Sequence, residues 1–440
     1  MPAPATTHAP PRTTGQPAAA GLDAQAAPGP TGHRSAATLA GGSLPALTVG
    51  VLALLTAVAP LAMDIYLPVL PALASELGAS ASQAQLTLTT FLAGLAVGQL
   101  VIGPLSDRWG RRGLLVAGTV LCLVASVVCA TAPTIGVLLA GRLLQGFGGA
   151  AGVVLSRAVV VDRVGGVAAA RLFATMMAIQ GVAPVVAPLL GGALGGPFGW
   201  RGLFVVLAGL AALMLVGALV AVPESLPVER RGSGGSAAFW RDARHVVGGV
   251  PYLGYTVTFA AAFAAMMAYV AASPFVLQTV LGLSVGQYSI AFAVNAAGIA
   301  AVSVVSGRLV GRVPAVRLLG VGVGILVVAS ALLVAVVVLL DAPRWPTLAL
   351  LLCAVSSLGL VMSNGAALAT GEAAHRAGTG SAVMGALQFA LAAAVSPLVG
   401  LRGDDDALLM TVVMLGCGLV GLGALRVARG AVARRETAGA

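Results

Sequence analysis

The sequence predicts an all-α membrane protein whose twelve transmembrane helices form two pseudo-repeated six-helix bundles. Three observations carry that prediction. Of the 440 residues, 59% are hydrophobic and 9% charged, with a mean hydropathy of +1.01, whereas a soluble globular domain carries about 25% charged residues. Apolar runs long enough to cross a bilayer, about 20 residues each, recur about twelve times. The two halves of the chain also repeat one another at a nearly constant offset. This composition excludes a water-soluble enzyme and a disordered chain. The ten-residue alternation of a transmembrane β-barrel is not found.

The expected spans are 46–70, 83–105, 113–131, 134–156, 172–194, 202–222, 251–276, 286–307, 316–340, 347–369, 379–400 and 407–427. Residues 1–43, rich in Pro, Ala, Gly and Thr, read as a disordered cytoplasmic tail or as a start codon placed too early. They lack the basic-then-apolar pattern of a secretory signal, so span 1 would itself serve as an uncleaved insertion signal. Residues 44–222 make the first bundle, 223–250 a hydrophilic cytoplasmic central loop, 251–428 the second bundle and 429–440 a cytoplasmic tail.

The repeat is visible in short strings. Met176-Met-Ala-Ile-Gln180 and Ala187-Pro-Leu-Leu-Gly191 are echoed by Met384-Gly-Ala-Leu-Gln388 and Ser396-Pro-Leu-Val-Gly400. Likewise Gly103-Pro-Leu-Ser-Asp107-Arg108 precedes Gly307-Arg-Leu-Val-Gly311-Arg312 by 204 residues. Parallel repeats of this kind place a substrate path on the axis between the halves, near the bilayer midplane.

Charge sets the orientation. All 24 basic residues are Arg. Arg201, Arg344 and Arg402 fall on one side and Arg142 within a span, while the other twenty lie in the tails and loops of the opposite side. This bias places both termini in the cytoplasm. Arginines so dispersed do not make a nucleic-acid surface. Cys122, Cys129, Cys353 and Cys417 fall inside spans and read as small packing residues. His8, His33, His245 and His375 lie in tails or loops, so neither a metal site nor a cofactor is expected. Trp109, Trp200, Trp240 and Trp345 sit beside span ends, as an interfacial belt would.

Four segments carry chemistry. Span 1 contains Asp64, in Met63-Asp-Ile-Tyr66-Leu-Pro68, the one carboxylate placed inside a span. It lies either at headgroup level or, if the helix continues through Leu67 to Leu77, submerged. A submerged Asp balanced between burial and a nearby Arg can exchange a proton near neutrality. In span 4, Arg142 lies about 13 Å into the helix at 1.5 Å per residue. It therefore faces the bundle interior or a wet cavity, or else snorkels to the interface. Gln145 and Gly149 share its face. The nearby Gly146-x-Gly148 fits a dinucleotide fingerprint only in isolation, since no strand precedes it.

Span 5 holds Gly181-Val-Ala-Pro184-Val-Val-Ala-Pro188-Leu-Leu-Gly191-Gly192, where two prolines delete backbone bonds and glycines permit close packing. Ordinary membrane-helix Pro and Gly would look the same in isolation. The loop after span 2 reads Gly103-Pro-Leu-Ser-Asp107-Arg108-Trp-Gly110-Arg111-Arg112. One Asp among three Arg can make charge-assisted bonds across helices.

That loop resembles the signature G-x-x-x-D-R-x-G-R-R of the major facilitator superfamily, with all fixed positions matched. In the second half Gly311 replaces the Asp, which weakens any matching switch. Span 4 is similar to the antiporter motif of proton-coupled drug exporters, and span 5 to the motif that marks exporters, with Ala183 where that family has Gly. Asp64-x-Tyr66-Leu-Pro68, Arg142-x-x-Gln145-Gly146, Ser156-Arg157 with Asp162, and Tyr269-Val-Ala-Ala-Ser273-Pro274 through Gln278 together resemble the bicyclomycin-resistance/CflA-type exporters of bacterial inner membranes. The likeness covers residues 44 to 428.

The resemblance implies the major facilitator fold and proton-coupled efflux of small amphiphilic drugs across the inner membrane by a monomer. Asp64 and Arg142 would couple protons. Tyr66, Gln145, Gln180, Tyr269, Asn295 and Gln388 would line the substrate cavity. Asp107, Arg108, Arg111 and Arg112, with Gly103 and Gly110, would latch the outward-facing state. The rival reading is a proton- or gradient-driven nutrient carrier on the same fold. A membrane enzyme would need paired catalytic groups that the spans lack.

Overall fold

In the computed structural model, which describes residues 44–164, 166–231, 235–403 and 406–439, span 1 is helical in two pieces. The expected tail over 1–43 lies outside those residues. α1 (Ala46–Asp64) stops at Asp64, a turn and a 3₁₀ segment (Leu67–Val69) follow, and α2 (Leu70–Glu76) resumes the path. Pro68 and Pro71 explain the break, because neither has an N–H to return to the carbonyl four residues earlier. For Pro68 that carbonyl belongs to Asp64.

α3 (Ala81–Trp109), α4 (Arg111–Ala130) and α5 (Ile135–Arg163) follow. α6 (Gly166–Ala221) has 56 residues, which at 1.5 Å per residue would span about 84 Å, far more than a hydrocarbon core of about 30 Å. It is interrupted at Gly199, where φ is 62° just after Pro197, so it makes two crossings. The second half contains α7 (Gly235–Val247), α8 (Val250–Phe275), α9 (Val285–Leu309), α10 (Ala315–Leu340), α11 (Arg344–Glu372), α12 (Ala377–Val395) and α13 (Leu408–Gly439). With α6 counted twice, the apolar helices make the twelve expected crossings.

The repeat is deeper than the sequence strings suggested. α3 and α9 both begin with a Ser-x-x-Gln capping box, Ser80 with Gln83 and Ser284 with Gln287, each with its two reciprocal bonds at 2.9–3.3 Å. Gly78 (φ 59°) pairs with Gly282 (φ 63°), and Gly199 pairs with Gly403 (φ 100°). All these pairs stand 204 residues apart, the offset of the charged loops, and the left-handed turns need glycine at each.

Two expectations about connections are revised. The central loop is not continuously irregular: α7 buries Ala243 and Val246, and its Asp242 accepts from Arg376 Nε at 3.1 Å. Three-residue spacing of small apolar groups sufficed to dock a helix in a segment that reads as hydrophilic. α13 continues as helix to Gly439, through the expected tail. Of the four Trp, Trp109, Trp240 and Trp345 are exposed as belt residues, but Trp200 is buried and donates to Glu76 Oε2 at 2.7 Å. Cys122 and Cys129 are buried, Cys417 is half-buried and Cys353 is exposed.

Within the first half α5 packs on α3 and α4; within the second, α8 packs on α11, α12 and α13. Nearly every residue of α8 is buried. The halves meet along two seams, α3 with α12 and α6 with α9. Thr48 Oγ1 donates to the Ala221 carbonyl and Arg112 Nη2 to that of Leu219, so the start of α1, the end of α6 and the α3–α4 loop share one end of the molecule. This is the Arg-rich end.

Candidate functional site

Glycine packing brings α5 against α3 and sets Arg142 in the middle of the first half. A Cβ on Gly146 would overlap the Phe91 carbonyl, and one on Gly94 the Leu143 carbonyl, so the two backbones are nearly in contact. Arg142 is fully buried. Its guanidinium donates to the Ala62 carbonyl (3.0 Å), the Thr87 carbonyl (3.3 Å), Gln145 Oε1 (2.6 Å) and the Tyr66 hydroxyl (3.5 Å). It also lies 4.3 Å from the Phe91 ring centroid and 4.8 Å from that of Tyr66. A buried cation needs such compensation. The network extends outward, Gln145 Nε2 donating to Ser126 Oγ at 2.8 Å while the Tyr66 and Thr87 hydroxyls share a 2.8 Å bond.

Asp64 is buried at the end of α1, 5% exposed. Its carboxylate receives no hydrogen bond among the described residues and forms no ion pair with Arg142, although the two interact through space. It also interacts electrostatically with Tyr269 and Tyr288 of the other half. Tyr269 accepts from Asn295 Nδ2 at 2.8 Å and stacks on Phe292 at 5.6 Å, while the Asn295 Oδ1 has no partner among the described residues. The break after α1 thus aims a carboxylate at the junction of the halves.

The candidate residues therefore divide into groups. Asp64, Tyr66, Arg142 and Gln145 form one cluster; Tyr269 and Asn295 face it from the second half. Gln180 stands elsewhere, half-buried, donating to the Thr56 carbonyl at 3.1 Å. Gln388 is half-buried on α12 and joins neither cluster. Sequence reasoning missed Thr87, Ser126, Phe91 and Tyr288. All five Tyr lie in the expected spans, which was the available signal for Tyr288.

The span-5 motif reaches the seam. A Cβ on Gly191 would overlap the Ile65 carbonyl oxygen and stand 2.8 Å from its carbon; a Cβ on Gly192 would overlap the Ser289 hydroxyl of α9 and stand 3.1 Å from its Cβ. Pro184 and Pro188 lie within the first crossing of α6, which stays helical through both. Gly181 has no atom within 4 Å of a Cβ position. At the same end, Gln278 Nε2 donates to the Pro68 carbonyl at 3.1 Å and Gly400 packs on Gln85, so the halves are joined away from the Arg-rich end.

At the Arg-rich end, Arg111 bonds Asp107 Oδ1 (2.6 Å), Asp162 Oδ2 (3.1 Å) and Ser106 Oγ (2.5 Å). Glu224, just past α6, accepts the backbone N–H groups of Arg111 (2.9 Å), Arg112 (3.3 Å), Ser225 (3.0 Å) and Leu226 (3.0 Å). Partial burial pushes the Glu224 carboxyl up, but these N–H groups and Arg231 at 3.4 Å outweigh it and hold it below the usual glutamate value. Gly110 (φ 96°) has no room for a side chain, since its Cβ would stand 2.5 Å from Glu224 Oε2 and 2.6 Å from Arg231 Nη2. Arg108 is exposed, and a Cβ on Gly103 would meet only Val154, at an ordinary 3.9 Å. All these partners belong to the first half and the segment after it. Glu224 was missed because it lies 113 residues from Arg111.

Two helical bundles meeting at seams, with a buried carboxylate at a helix break and a buried guanidinium within the first half, have the architecture of a membrane transporter. A sequence model of the Major Facilitator Superfamily matches residues 52–397, and the chain belongs to that superfamily. It is 36% identical over 378 residues to the uncharacterized MFS-type transporter YdgK of Bacillus subtilis, covering 86% of this chain and 93% of that one. It is 30% identical over 376 residues to the bicyclomycin resistance protein homolog of Haemophilus influenzae, covering 85% and 93%. The likeness to exporters of the bicyclomycin-resistance type is thus borne out. Among solved structures, a bacterial homolog of the human lysosomal transporter Spinster, inward-facing, superposes with a TM-score of 0.67 at 16% identity, covering 88% and 97%. The xylose transporter XylE of E. coli gives 0.64 at 16%, covering 86% and 95%. These two share the fold.

Proposed function

We propose that this transporter exports small amphiphilic drugs across the bacterial inner membrane in exchange for protons, with both termini in the cytoplasm. The observation that carries the reading is Asp64, a buried carboxylate with no hydrogen bond from the described residues, at a helix break between the halves and beside Arg142, which donates four hydrogen bonds. The resistance-type relatives support the substrate class.

In the cycle, substrate enters from the cytoplasm while the seams at the far end are joined and Asp64 gives up its proton. When the halves rock, the seams part, Asp64 takes a proton from outside and substrate leaves. One proton charge moving inward gains about 2.3 kcal/mol per 100 mV, enough for roughly a fifty-fold gradient. Arg142, held by its acceptors, acts as a fixed positive potential near Asp64. The Arg111 cluster braces the cytoplasmic end of the first half so that it moves as one body, and in the outward-facing state it serves as the latch. The transporter works as a monomer.

The test is proton movement in energised inside-out vesicles carrying the wild type or Asp64→Asn, with bicyclomycin, chloramphenicol and other neutral amphiphiles. Compound-triggered proton efflux in wild type and none in the variant is expected. Equal flux in both would move the coupling site elsewhere. No response from correctly inserted protein would favour a nutrient carrier.

A further inference from the structure

Arg157, on α5 one residue past the expected end of span 4, is a guanidinium that the polar networks leave over. Arg142, on the same helix, has four acceptors. Arg157 makes no hydrogen bond or ion pair with any described residue. The nearest carboxylate along the chain, Asp162, is committed to Arg111 at 3.1 Å and Ser225 at 2.8 Å. Arg157 is six residues from the end of α5, about 9 Å at 1.5 Å per residue. Arg157 is exposed, so its guanidinium is open to a ligand.

Its side chain opens into a pocket of about 240 Å³ between α1, α5 and α6, lined by Thr56, Arg157, Phe173, Met176, Met177 and Gln180. This pocket is not the Asp64 cluster: Thr56 precedes Asp64 by eight residues, about 12 Å along α1. Arg157 is its one fixed charge. Thr56 Oγ1 is used within its own helix, on the Ala53 carbonyl at 2.7 Å. Gln180 spends one N–H on the Thr56 carbonyl, which leaves its Oε1 unbonded among the described residues.

The lining specifies a ligand chemistry. A guanidinium fork matches a carboxylate with two parallel bonds. Two flexible thioethers and an aromatic ring give an adaptable apolar wall. A permanent cation would meet Arg157 without any carboxylate to offset it. Whole drug-sized ligands occupy about 300–1,000 Å³, so this volume holds a charged head and the first ring or chain segment.

We infer that this pocket binds monoanionic amphiphiles, with Arg157 pairing with the carboxylate and Phe173, Met176 and Met177 covering the apolar body. It is where exported compound loads, and in that respect the inference rests on the efflux reading. Carboxylate-bearing apolar compounds are the favoured substrates, and quaternary amines are excluded.

The test is equilibrium binding to the purified full-length protein in detergent, using radiolabelled 4-phenylbutyrate, its neutral amide and the 4-phenylbutylammonium cation. The wild type binds the carboxylate at least tenfold tighter than the amide, and the cation weakest. Arg157→Gln abolishes the preference through a loss of about 10- to 100-fold in carboxylate affinity, and Arg157→Lys retains part of it. Thermal unfolding of Arg157→Gln is expected to match wild type, because no bond is lost. Equal affinity for acid and amide, or a preference surviving in Arg157→Gln, overturns the inference. So does displacement of the probe by stoichiometric phosphatidylglycerol, which would make the anion a lipid headgroup. Binding needs no gradient, so the two readings fail separately. A carboxylate preference without compound-driven proton flux removes export alone, and flux without the preference removes this site alone.

Discussion

Gly192→Val tests the seam that joins the halves. The substituted Cβ would overlap the Ser289 hydroxyl and stand 3.1 Å from the Ser289 Cβ, against about 3.5–4.0 Å for relaxed carbon contacts. The valine methyls extend further, so α6 and α9 must part by at least about half an ångström. Overpacking of this kind costs about 1–3 kcal/mol. Because α9 belongs to the other half, the cost falls only on the state in which this seam is closed. That state should lose about 5- to 150-fold in population. A reporter cysteine at Gln278, beside the Pro68 carbonyl, in a background lacking the four native Cys, should then react faster with an impermeant maleimide by a comparable factor. Ser289→Gly removes both close atoms and should return the labelling rate toward that of Ser289→Gly alone. Gly191→Ala is the contrasting case, since it strikes the Ile65 carbonyl inside the first half; it should lower thermal stability in either state. Unchanged labelling in Gly192→Val, or no restoration by Ser289→Gly, would refute the seam argument.

Two further predictions concern the polar networks. Arg142→Leu leaves the buried Ala62 carbonyl and Gln145 Oε1 without the guanidinium and removes one of the donors to the Thr87 carbonyl, at a cost on the order of 3 kcal/mol. Thermal unfolding in detergent should show the loss, and Arg142→Lys should not repair it, because an ammonium cannot reach diverging acceptors as a planar fork does. For Glu224, whose carboxyl is held below 4.5, the contribution is present above the unfolded value and lost as pH falls through the lowered folded value. Hydrogen exchange at the Arg111 and Arg112 amides should therefore be flat in protection from pH 7 to 4.5 and lose it below. Glu224→Gln should show the unprotected behaviour at pH 7, and exchange identical to wild type would remove Glu224 as their acceptor.

How much was legible in the sequence depended on range. Span positions, the repeat and the charged loop were readable because each is written in a local stretch. The deeper repeat, in Ser80 and Ser284 or Gly78 and Gly282, was equally local but lay in connections outside the apolar strings. α7 was missed because two small apolar residues in a charged segment signal a helix only once a surface receives them. Trp200 was misplaced with the belt because its indole N–H finds Glu76, 124 residues away, a partner no local pattern names.

By itself the sequence determined that this protein lives in a bilayer and crosses it twelve times in two related halves; it put Asp64 and Arg142 within spans but left open whether each is submerged or at the interface. Those properties follow from composition and period, which add up residue by residue. Only the tertiary structure decided what each polar group meets. Arg142 is paired with neutral acceptors 55 and 80 residues away rather than with Asp64, and Glu224 holds the charged loop. Gly192 admits Ser289 of the other half, and Arg157 has no described partner. Partner choice is set by the rotation of each helix about its axis and by backbone approach at glycines, and neither is encoded in the local run of residues that makes the helix.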